Sequence, residues 1–80
     1  MTEYIINIEK TVGDRIHGQT FFARTASEAK KALKDVLVAE CGVTAKRANE
    51  KVRGFDATYI KKHGLKVWGR DYVATIKLDA

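Results

Sequence analysis

The 80-residue chain contains no proline, one cysteine, one tryptophan, one methionine and two histidines. Without proline, every backbone amide past the first residue is an available donor, so no helix or strand is broken by a missing hydrogen bond. Cys41 has no second cysteine to pair with, which excludes an internal disulfide and suits a reducing compartment. It falls at the expected C-terminal end of a helix, where the negative pole disfavours a thiolate, and so reads as structural. His17 and His63 are isolated, with no second ligand at a spacing such as i+4, and no metal site is expected. The six glycines form no phosphate-cradling pattern such as G-x-G-x-x-G. Asp14, Glu28, Asp35, Glu50, Asp56 and Asp71 all have local work available as caps, turn residues or ion-pair partners, and nothing pairs two of them for acid/base chemistry.

Long apolar runs are also absent. The longest purely aliphatic stretch, residues 36–39, is far short of the roughly 20 residues that cross a bilayer, and residues 1–9 lack a basic region followed by an apolar one. The expectation is a cytoplasmic, non-enzymatic protein with no cofactor and no membrane partner.

Composition is ordinary for a globular chain, 45% hydrophobic and 31% charged, and argues against disorder. The length predicts one domain, residues 1–80, with a thin core, since only about 60% of the unfolded surface is buried at this size.

Residues 4–8 alternate, with Tyr4, Ile6 and Ile8 on one side, and predict a strand. Gly13 and Gly18 bracket a polar tip, Asp14, Arg15, Ile16 and His17, leading to a second strand over residues 19–24. Thr25-Ala-Ser-Glu28 has capping-box spacing, in which the Thr25 hydroxyl accepts from the amide of residue 28 and Glu28 reaches back to the amide of Thr25. A helix follows, with Ala29, Ala32, Leu33, Val36 and Leu37 in one apolar stripe, Lys30, Lys31, Lys34 and Asp35 away from it, and Gly42 ending it. Thr44 is the expected N-cap of a second helix with the narrower stripe Ala45, Ala48, Val52 and Phe55. Gly54 interrupts it. Beyond that point two readings stand: a short helical turn capped by Asp56 and running to Gly64, or a strand over residues 55–60. Residues 65–68 and 72–78 predict a second hairpin around Gly69, Arg70 and Asp71, with Tyr72, Ala74, Ile76 and Leu78 facing inward. The order β-β-α-α-β-β predicts a small α+β fold in which both hairpins share one antiparallel sheet covered by one or two helices.

Charge carries the functional signal. Residues 44–70 hold eight of the fifteen Lys and Arg residues against Glu50 and Asp56, a balance of +6, while the rest of the chain has seven cations against eight carboxylates. Clustered cations attract a polyanion or an acidic surface from a distance. The candidate binding residues are Lys46, Arg47, Lys51, Arg53, Lys61, Lys62, Lys66 and Arg70, with Trp68 and Tyr72 as possible stacking platforms for bases. Tyr59 lies among the same cations. His63, in Lys61-Lys62-His63-Gly64, fits a helix end whose cations complement the dipole as well as it fits a direct contact.

Residues 21–33, from Phe21 and Phe22 through Thr25 and Glu28 to Leu33, are similar in style to the strand-into-helix joint of the arm-type DNA-binding domains of phage and transposon integrases. Those domains present three strands before the helix, where this chain has two. Its size, with a sheet and one capped helix, also resembles several phage-encoded anti-CRISPR and other anti-defence proteins. Two functional expectations follow. The first is a module, monomeric or a small homo-oligomer, that docks its 44–70 side on nucleic acid or a nucleoprotein. The alternative is an inhibitor or adaptor of the phage or mobile-element type that binds an acidic or nucleic-acid-binding protein surface through Trp68, Arg70 and Tyr72.

Overall fold

The computed structural model describes residues 3–79 of the chain. Seven elements follow one another: β1 (Glu3–Val12), β2 (Arg15–Ala23), α1 (Ala26–Glu40), α2 (Ala45–Val52), α3 (Ala57–His63), β3 (Leu65–Trp68) and β4 (Tyr72–Asp79). The four strands make one antiparallel sheet in the order β2-β1-β4-β3. Both hairpins therefore share a sheet, as the alternating patterns predict, with β1 and β4 at its centre.

The alternation decides which face is covered. Tyr4, Ile6 and Ile8 of β1, Leu65 and Val67 of β3, and Ala74 and Ile76 of β4 are buried, while Phe21, Ala23, Tyr72 and Leu78 pack partly against them. From the helices, Ala26, Ala29, Leu33 and Leu37 of α1, Ala48 and Val52 of α2, and Ile60 of α3 complete the same cluster. Leu33 and Leu37 are fully buried, and truncating either to alanine costs about 2–5 kcal/mol. The residues that alternate with the buried ones leave the other face of the sheet open.

The first hairpin is tighter and longer than the sequence suggests. Val12 pairs with Arg15, so the connection is the two-residue turn Gly13-Asp14 and not a tip running to Gly18. Gly13 has φ +62°, the left-handed value that the first central position of a tight hairpin turn requires. Arg15, Ile16, His17 and Gly18 are consequently strand residues, and His17 lies on β2 and not in a loop.

Thr25 caps α1 as its spacing predicts, its hydroxyl accepting from the Glu28 amide at 3.1 Å. Glu28 reaches back one residue further than expected, its Oε2 accepting from the Arg24 amide at 3.3 Å. Cys41 is the C-cap, with Gly42 just beyond. In α2, Thr44 accepts from the Arg47 amide at 3.2 Å. Ala45 is exposed and Phe55 lies past the end of the helix, so the buried stripe of α2 reduces to Ala48 and Val52.

The strand reading of residues 55–60 is overturned. Asp56 Oδ1 accepts from the Tyr59 amide at 2.8 Å, the Asp56 carbonyl accepts from the Ile60 amide at 3.0 Å, and Ile60 enters the core from a helix. Satisfying the first orphan amides outweighs the β propensity of Thr58, Tyr59 and Ile60. Gly64 then joins α3 to β3 with φ +76°, and a Cβ there would stand 2.7 Å from the Ile76 carbonyl oxygen.

Candidate functional site

Helical geometry determines where each cation goes. On α1 the buried residues Ala29, Leu33 and Leu37 fix the phase. Lys30, Lys31 and Lys34 then fall together on one flank, since positions three and four apart stack on one side of a helix. On α2, Ala48 and Val52 face the core, which puts Lys46, Asn49 and Arg53 on one flank and Arg47 and Lys51 on the other. The two helices pack side by side, so the α1 flank meets the first of these.

A groove results. It consists of two adjoining depressions that share Lys30, Lys34 and Asn49, one lined also by Lys31 and the small residues Ala26, Ala45, Ala48 and Ala57, the other by Lys46 and Arg53 of α2. Two carboxylates, Asp35 and Glu50, also line it, so cations exceed anions five to two. Two of the lysines are held in place. Lys34 Nζ donates to Asn49 Oδ1 at 3.0 Å across the groove, and Lys30 Nζ donates to the Phe55 carbonyl at 2.7 Å. Both acceptors are neutral, so the charge is not cancelled, and each ammonium keeps two further N–H donors for a ligand.

The other candidate residues lie elsewhere. Lys51, on the far flank of α2, donates to the Trp68 carbonyl at 3.1 Å and lies 5.7 Å from the centroid of the Tyr72 ring. Tyr72 is half-buried: Gly69 lies against one part of its ring, Lys51 is close by, and its hydroxyl is buried without a hydrogen-bond partner among the described residues. Its ring is thus committed to packing. Lys66 and Trp68 alternate with the buried Leu65 and Val67 and project from the open face of the sheet, Trp68 with 65% of its surface exposed. Lys61 and Lys62 are exposed on α3, in the last turn with His63, where their charge complements the helix dipole. Arg70 is exposed in the β3–β4 turn. The eight cations of residues 44–70 are therefore divided among the helical layer, the open face of the sheet and the β3–β4 turn.

Phe55, just before α3, forms an aromatic ladder with Tyr59 and His63 of that helix, with centroid spacings of 5.5 and 5.0 Å, beside a depression that also takes in Lys66 and Lys77. On the open face the register sets Thr20, Asn7, Thr75 and Lys66 in one row across all four strands. Thr20 Oγ1 donates to Asn7 Oδ1 at 2.8 Å in that row. Glu3, Glu9 and Asp79 share this face with Lys66 and Lys77, so it has no cationic excess like that of the groove.

Cys41 is half-buried where α1 ends. Burial pushes its thiol pKa up, the neighbouring Glu40 adds to the rise, and Lys10 opposes it. Lys10 Nζ also donates to the Glu40 carbonyl, tying β1 to the end of α1. Among the described residues, no three His, Cys, Asp or Glu side chains are grouped as metal ligands, and no helix is long and apolar enough to cross a membrane.

Lys30, Lys31 and Lys34 were not among the candidate binding residues suggested by the sequence, because they lie outside the stretch of excess charge. Their common flank was legible once the capping box fixed the phase of α1. Comparison with protein-family models, curated protein sequences and solved structures finds no match to this chain.

Proposed function

We propose that the chain is a non-enzymatic nucleic-acid-binding module that seats a phosphate backbone in the groove between α1 and α2. The observation that supports this reading is that Lys30, Lys31, Lys34, Lys46 and Arg53 line two adjoining depressions between α1 and α2, with Lys30 and Lys34 common to both and braced by neutral oxygens. A braced ammonium loses less freedom when it meets a phosphate, and counterions released from the nucleic acid supply the driving force. Lysine contacts of this kind set affinity and position without reading sequence. Arg47, Lys61, Lys62 and Arg70 add to the long-range field more than to the contact.

The test is a titration of labelled duplex DNA and of RNA at several salt concentrations. Log affinity is expected to fall linearly with log salt, and changing Lys31 and Lys46 to Met should lower that slope by about one for each lysine removed. Lys66→Met and Trp68→Ala, on the open sheet face, should leave the slope unchanged. Absence of binding at the lowest salt would remove the proposal.

One observation favours a second reading. Trp68, 65% exposed and remote from the groove, is the kind of side chain that anchors a protein interface. A protein inhibitor or adaptor would bind no nucleic acid at low salt and would lose a defined protein partner on Trp68→Ala.

A further inference from the structure

β2 is an edge of the sheet along its whole length. It pairs with β1 without a bulge from Val12↔Arg15 to Tyr4↔Ala23, and its outer row of backbone groups faces away from the sheet. Soluble proteins blunt such edges by shortness, lysine, proline or bulges. The opposite edge obeys this rule, since β3 has four residues and carries Lys66. The nine residues of β2, RIHGQTFFA, include no lysine, proline or carboxylate. Ile16 and Phe22, near its two ends, are 69% and 63% exposed.

The tight turn fixes which groups are free. Val12 and Arg15 flank a two-residue connection and so exchange both ladder hydrogen bonds, after which bonded positions alternate. Arg15, His17, Gln19, Phe21 and Ala23 use their amides and carbonyls on β1. Ile16, Gly18, Thr20 and Phe22 present theirs outward.

We infer that β2 pairs antiparallel with β2 of a second copy of this chain, about a two-fold axis at Gln19, to give one continuous eight-stranded sheet. Only registers that oppose outward-facing residues can form the ladder, and among these the one centred on Gln19 engages all nine positions. It sets Ile16 against Phe22 of the second copy, and Gly18 against Thr20 of the second copy, each twice by symmetry. Arg15 and His17 fall opposite Ala23 and Phe21, so no like charges meet. One step further at each end, Asp14 of the turn comes beside Arg24 of the second copy. Moving the axis to Gly18 would put Phe22 against Asp14, and moving it to Thr20 would put Ile16 against Arg24, which loses the apolar pair in both cases. Self-complementarity of this kind is what an isologous two-fold interface requires. The groove between α1 and α2 is on the other flank of α1 from β2, so this inference stands apart from the nucleic-acid reading.

Sedimentation equilibrium on the full chain tests it, with a dimer expected at twice 9.0 kDa. Ile16→Lys combined with Phe22→Lys should return the monomer mass, with a circular dichroism melt showing that the fold persists. Asp14→Arg and Arg24→Asp should each weaken dimerisation at least several-fold, and the double variant should recover most of the loss. Within one copy these two residues are about 33 Å apart along the extended strand, so coupling between them must be intermolecular. In a Cys41→Ser background, Gln19→Cys should oxidise to a covalent dimer. A monomer up to about 1 mM would overturn the inference. So would a dimer indifferent to the lysine pair, with no Asp14–Arg24 coupling and no cross-link at position 19.

Discussion

Lys51 of α2 ties itself to Trp68 of β3, its ammonium donating to the Trp68 carbonyl at 3.1 Å with the Tyr72 ring 5.7 Å away. This cation joins a helix to the sheet on the flank of α2 turned away from the groove. Lys51→Met keeps the aliphatic stem and removes the bond, so it should lower stability in urea by about 1 kcal/mol. It should change nucleic-acid affinity less than Lys46→Met does. An equal loss of affinity from the two would place Lys51 in the binding surface.

Tyr72 buries a hydroxyl that has no partner among the described residues. An unmet buried donor is costly, so Tyr72→Phe should leave the melting temperature unchanged or raise it, with a gain of up to about 1 kcal/mol. A clear loss of stability would mean that the hydroxyl is bonded in solution.

Gly64 combines a left-handed φ of +76° with close approach to the Ile76 carbonyl. Gly64→Ala should cost roughly 3 kcal/mol, because the backbone strain and the clash with β4 add together. Gly54 provides the control: its φ is not in the left-handed range and nothing lies within 4 Å of an added Cβ, so Gly54→Ala should stay within about 0.5 kcal/mol of the parent. Urea midpoints of the two variants, at unchanged m, make the comparison.

Burial raises the pKa of the Cys41 thiol in the folded chain, with Glu40 adding to the rise and Lys10 opposing it. The unfolded thiol therefore ionises at the lower pH. Stability from this group is intact below the unfolded value and is lost as pH rises from there through the folded value. Cys41→Ser should flatten that alkaline decline. Alkylation of Cys41 at mildly alkaline pH should be slower in the native chain than in denaturant, and equal rates would contradict the shift.

Much of the fold was written in local patterns. Thr25 and Glu28 announced α1, Gly42 ended it, and the alternation of Tyr4, Ile6 and Ile8 and of Ala74 and Ile76 gave the covered face of the sheet. The first turn is poorly marked, because Gly18 looks like a boundary although the Gly13-Asp14 turn closes the hairpin. Residues 55–60 were ambiguous for a definite reason: three β formers follow an aspartate that caps, and the cap prevails. The site was only partly legible. A run of charge along a sequence does not reveal on which faces the side chains emerge, and Lys66 leaves the sheet on the side away from Lys46. Nor could local signals tell which flank of α1 would receive α2, which is what brings Lys30, Lys31 and Lys34 into the groove.

The pairing of β1 with β4, the two central strands, runs from Lys10↔Tyr72 to Glu3↔Asp79 at the end of their ladder. Strands this remote along the polypeptide must close the largest loop in the molecule, and the entropy of that closure is met before their contacts repay it. A nascent chain emerging from the ribosome without residues 72–79 would hold the first hairpin and α1 but leave both sides of β1's hairpin open. β4 is thus the strand that locks β1 into place, and the sheet cannot be completed until residues 72–79 are free to pair.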